Sequence, residues 1–225
     1  MWLADFLVGA SCIICLLRGK GLTRLFTLAL YIFSCVAVGV GRYTILGAFG
    51  YTSNAYLYFY FYSDTLLTIC LYFVLMSLFS HVFEEMGVSK YLRSGAMLLL
   101  SGTALISYRM VAASSDRLVT HFVIELSRNL YFVGVLLTYL LWGAMMKLRE
   151  NRTRLMQLVL ALGVYFSAFA ASYALGNLYP NLVVWRYICY IMTMWLPLSW
   201  AYTFSKVPEE ARLATSRVVA PTPTR

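Results

Sequence analysis

Seven ionisable side chains interrupt otherwise apolar stretches of this sequence: Arg42, Asp64, Arg109, His121, Glu125, Arg128 and Arg186. At the centre of a membrane-spanning helix such a group costs roughly 2.5 to 3.5 kcal/mol, so each needs a partner, water or a lipid headgroup within reach. The arginines offer forked donors suited to a carboxylate or a phosphate. Asp64 and Glu125 can share a proton if the fold brings them together. Spacing groups these residues further. His121, Glu125 and Arg128 follow i, i+4, i+7 and so share one helix face; Tyr60, Asp64 and Thr68 make a second stripe, and Arg186, Tyr190, Thr193 and Pro197 a third. Three polar stripes at similar depth predict one polar centre, lined also by some of Tyr56, Tyr58, Tyr60 and Tyr62. Because those tyrosines alternate, a helix scatters them around its circumference and leaves the others to lipid or to the interface.

The expected ligand-binding set is therefore Arg42, Tyr60, Asp64, His121, Glu125, Arg128, Arg186 and Tyr190. Arg42, Arg128 and Arg186 against Asp64 and Glu125 leave one positive charge in excess, or two with Arg109. Three readings stay open. One is a pocket for an anionic small molecule, one an ion or proton pathway. The third is a structural ion-pair network linking the third, fifth and seventh spans, with Arg42, Arg109 and Arg186 reaching up to lipid phosphates.

The elements that must position these groups are membrane helices. Of 225 residues 61% are hydrophobic and 12% charged, with a mean hydropathy of +0.74. That balance excludes a soluble globule, a disordered chain and a fibre. A spanning helix takes about 20 apolar residues, and the chain is expected to be an all-α bundle of seven. The spans lie near 2 to 17, 25 to 48, 55 to 80, 93 to 113, 119 to 146, 155 to 175 and 182 to 203. The first is short. Asp5 within it, and Arg18, Lys20 and Arg24 after it, argue for a retained helix and against a signal peptide.

Basic residues orient the bundle. Arg18, Lys20 and Arg24, then Lys90 and Arg93, then Lys147, Arg149, Arg152 and Arg154, and finally Lys206, Arg212, Arg217 and Arg225 fall on one side; the connections opposite hold Arg117 alone. The amino terminus is predicted outside and the carboxyl terminus in the cytosol. All seven ionisable groups then fall in the outer half of the bilayer, with Asp64 and Arg128 near mid-depth. The net charge of +9 reflects this asymmetry and contact with anionic lipid, not nucleic acid. Residues 206 to 225, with Pro208, Pro221 and Pro223, are expected to be a disordered cytosolic tail, following a single transmembrane domain over 1 to 205.

No cofactor or metal is expected. Cys12 and Cys15 form an isolated C-x-x-C inside an apolar helix, and His81 and His121 are predicted on opposite sides of the membrane. No lysine stands within the last span to hold a retinal, and no nucleophile and base pair for hydrolysis is evident. Two rows of small residues on the sixth span, Gly163, Ser167, Ala171 and Ala168, Ser172, Gly176, suit close helix neighbours. Pro197 predicts a kink in the seventh.

The run Tyr58, Tyr60, Tyr62, Ser63, Asp64, continuing to Phe79, His81, Val82 and Phe83, together with Glu125, Ser127 and Arg128, resembles a group of small bacterial seven-helix membrane proteins of unassigned activity. The resemblance implies a fold and a bacterial cytoplasmic membrane, and carries over no site residue. The leading expectation is a membrane sensor or ligand-binding module that acts through a partner protein, met at the basic cytosolic loops or on the sixth span. The alternatives are a small proton-coupled transporter and a structural subunit of a membrane complex.

Overall fold

In the computed structural model the described residues are 9–12, 14, 26–83, 89–112, 118–147, 152–179 and 184–207. Every regular element among them is α-helical: α1 (residues 9–12), α2 (Phe26–Phe49), α3 (Asn54–Val82), α4 (Ser89–Ala112), α5 (Leu118–Lys147), α6 (Thr153–Leu178) and α7 (Val184–Lys206). The expectation of an all-α protein holds. Four of these helices are long and apolar enough to cross a bilayer: α2, α3, α6 and the stretch His121–Lys147 of α5. In α4 only Met97–Ala112 is apolar. Most of the first span and the tail from Pro208 onward lie outside the described residues.

Local chemistry sets the helix ends. Gly50, at φ 78°, adopts the left-handed conformation that L side chains disfavour, and its N–H closes α2 on Leu46 O at 3.0 Å. Three residues on, Ser53 caps α3 by accepting the Tyr56 N–H at 3.2 Å. The turn between α2 and α3 is thus fixed at both sides, which sets Arg42 of α2 beside the first turns of α3. Pro197 sits inside α7, which continues through it to Lys206.

Three helices make the centre. α3 packs on α2, α4, α5 and α6; α5 packs on α3, α4 and α6; α7 lies along α6. Lipid tails are as apolar as leucine, so helix association within a bilayer rests on close packing and hydrogen bonds. Both are found here. Phe169 of α6 stacks on Tyr131 of α5 with centroids 4.7 Å apart and 14° between planes. Gly134 gives Phe166 room, since a Cβ there would lie 2.6 Å from the ring. Gly163 lies against Thr138 of α5, and Gly176 against Trp185 of α7. One glycine of each small-residue row of α6 therefore meets a neighbour within the chain, Gly163 on α5 and Gly176 on α7. Leu98, Leu105, Leu136, Leu140, Leu160 and Ile191 stay exposed around the bundle, the distribution expected of a lipid-facing surface.

Candidate functional site

The polar centre is built about ten residues into α3 and α5, which at a 1.5 Å rise is about 15 Å from their first turns. Arg42 reaches it from α2. Its Nη2 and Nε donate to Ser63 Oγ at 2.8 and 3.1 Å, Nη2 also donates to Tyr60 O at 3.3 Å, and the guanidinium lies 4.3 Å from the Tyr60 ring centroid. Ser63 Oγ in turn donates to Tyr60 O at 3.0 Å. Arg42 is thus held by neutral groups and by the face of an aromatic ring, a geometry that satisfies a guanidinium without an anion in contact.

Asp64, the next residue, faces α5. Ser127 Oγ donates to its Oδ2 at 3.1 Å. Thr68, one turn on, donates to Asp64 O at 2.9 Å and hydrogen-bonds both Ser127 Oγ at 3.4 Å and the Tyr131 hydroxyl at 3.2 Å. Thr65 ties the same two helices by donating to Val123 O at 3.0 Å. Ser127, Thr68 and Tyr131 are all buried. From Tyr131, polar contact passes to Tyr165 of α6 and then to Tyr31 of α2. Tyr60 of α3, Tyr173 of α6 and Cys189 of α7 lie within electrostatic reach of Asp64.

Arg128 stands at the rim. Its Nη1 donates to Glu125 Oε1 at 3.0 Å, an i, i+3 ion pair whose side chains are each 27% exposed. Its guanidinium lies 5.6 Å from the Tyr173 ring centroid. Its Nε is buried with no hydrogen-bond partner among the described residues.

Of the residues singled out in the sequence, Arg42, Tyr60 and Asp64 meet here, with Arg128 and Glu125 at the edge. Tyr190 is exposed on α7, close enough to interact electrostatically with Tyr60. His121 is exposed at the start of α5, and none of these bonds reaches it. Arg109 is likewise exposed. Arg186 belongs to α7, but its side chain lies outside the described residues. The most buried face of α5 bears Val123, Ser127, Leu130, Tyr131 and Gly134, with Glu125 and Arg128 half-buried beside it and His121 exposed. The charged pair closes within its own helix, so it needs no interior partner and stays at the rim, while α5 buries its ring and hydroxyl. Sequence reasoning passed over Ser63, Ser127, Tyr131 and Tyr173 as partners. The i, i+4 spacing of Ser127 and Tyr131 was a readable signal of a second polar stripe.

Among the described residues no group of three His, Cys, Asp or Glu is placed to hold a metal ion. Compared with models of protein families, with curated proteins and with solved structures, the chain finds no match.

Proposed function

We propose that this protein is a seven-span integral membrane module, with its amino terminus outside and its carboxyl terminus in the cytosol, that binds an anionic small molecule at its outer-half polar centre. The bacterial cytoplasmic membrane is its expected location, and it signals through a partner protein. The observation that carries the reading is Arg128. A guanidinium has five N–H donors; one of Arg128's holds Glu125, and its buried Nε has no partner among the described residues. Arg42 is engaged by Ser63 and Tyr60, so of the two arginines described at this centre Arg128 is the one with a buried donor left to offer a carboxylate or phosphate. The aromatic face of Tyr173 supports it from behind.

The test is thermal unfolding of the purified protein in lipid nanodiscs with a panel of carboxylates and inorganic phosphate. A ligand at a hundred times its Kd stabilises by about 2.7 kcal/mol. Such a shift should appear for an anion and vanish in Arg128→Gln. Absence of any anion-dependent shift in the parent protein would sink the proposal.

A second reading is a small proton-coupled transporter. What favours it is Asp64, whose direct side-chain partner among the described residues is a hydroxyl, Ser127, and which leads into the hydroxyls of Thr68 and Tyr131. Counterflow in proteoliposomes separates the two, since a binding module exchanges no substrate across the membrane.

A further inference from the structure

At the other end of α5 and α6 lies a shallow groove of about 180 Å³, lined by Trp142 of α5 and by Thr153, Met156, Gln157 and Leu160 of α6. The four α6 residues stand at i, i+3, i+4, i+7, one face of the first two turns. Its walls are apolar, and Trp142 and Leu160 are exposed at its mouth, so the groove opens sideways to lipid.

Just beyond it the character of the surface reverses. Lys147 is exposed at the last turn of α5, and Arg152 is the residue preceding α6. The amino terminus of α6 carries no side-chain cap. Its first N–H groups and the positive end of the helix dipole therefore add to the same field. Arg154 turns away, donating to Phe204 O at 3.5 Å with its guanidinium 4.5 Å from that ring. An apolar slot that continues into a cationic collar at a helix end matches a molecule with an acyl chain on one side and a phosphate on the other.

We propose that this groove is a specific site for an anionic phospholipid, its acyl chain against Met156 and Leu160 and its phosphate at the α6 amino terminus beside Lys147 and Arg152. The site is separate from the polar centre, and the proposal stands or falls independently of the ligand proposed there.

The full chain is purified, exchanged into nanodiscs of phosphatidylcholine with a minor fraction of phosphatidylglycerol, and released for native mass spectrometry, which counts retained lipid. Preferential retention of one phosphatidylglycerol is expected. Near a membrane surface one basic residue contributes about fivefold in anionic-lipid affinity, so Lys147→Gln and Arg152→Gln should each reduce retention by about that factor. Met156→Trp fills the slot and should reduce it as well; Leu160→Ser tests the same wall without added bulk should that variant fail to fold. Lys206→Gln, an equal charge change at the end of α7, should leave retention unchanged. Equal retention of the two lipids overturns the proposal. So does a loss with Lys206→Gln as large as with Lys147→Gln, which would mean unspecific surface charge, and so does retention that survives both groove variants.

Discussion

Alanine at Gly134 tests the contact that holds the polar centre together. The added Cβ would lie 2.6 Å from Cδ1 and Cε1 of Phe166 and 2.8 Å from its Cγ, about 1 Å inside ordinary contact distance. Phe166 is 1% exposed, and the rings of Tyr131 and Tyr165 stand 6.2 and 6.1 Å from it, so it cannot swing aside. α5 and α6 must separate instead, at an overpacking cost of about 1 to 3 kcal/mol. Glycine to alanine also raises helix propensity by up to about 1 kcal/mol, which hides part of the loss. Gly143, on the same helix with no neighbour within 4 Å, supplies the reference: its alanine variant gains propensity without the clash. The difference between the two variants isolates overpacking and should be about 1 to 3 kcal/mol, read by SDS titration followed by tryptophan fluorescence. Phe166→Leu should cost less in the Gly134→Ala background than alone, because each change relieves the other. Since Tyr131 lies one turn from Gly134 and holds Thr68 at 3.2 Å, Gly134→Ala should also weaken any anion-dependent stabilisation. If Gly134→Ala proves as stable as Gly143→Ala, the close approach of α5 to Phe166 is wrong, and with it the placement of Tyr131.

Other consequences can be measured with the same material. Ser127→Ala removes the hydroxyl that donates to Asp64 Oδ2 and should cost about 1 to 3 kcal/mol; Ser127→Thr, which keeps the donor, should recover most of it, and equal losses in both would discount the bond. Gln157 Oε1 is buried without a hydrogen-bond partner among the described residues, so Gln157→Met should be neutral or stabilising by about 1 kcal/mol in the same titration, and a clear loss would mean that the amide has a partner. Reporter fusions after Arg154 and at Arg225 should both read as cytosolic; an external signal at either site contradicts the orientation drawn from the basic residues.

What could be read directly in the sequence was whatever depends on local energetics. A chain in lipid must satisfy its backbone hydrogen bonds within each segment, so long apolar runs such as Phe26–Phe49 and Asn54–Val82 are helical and able to span whatever their neighbours are. The cost of an ionisable group at that depth likewise marked Arg42, Asp64, Glu125 and Arg128 before any fold was known. Rotation of a helix about its own axis is a different matter. When every face is apolar, periodicity does not single out the inward side, and on α5 the tendency of charge to avoid lipid predicts the charged stripe inward. Only the packed structure decided that Ser127 and Tyr131 point inward while Glu125 and Arg128 answer each other at the rim. It also decided that Arg42 rests on Ser63 and Tyr60, and that Gly163 and Gly176 of α6 meet Thr138 and Trp185. These are contacts between residues far apart in the chain, set by which helices fit closest, and that fit depends on the shapes of several helices at once and not on the composition of any single one.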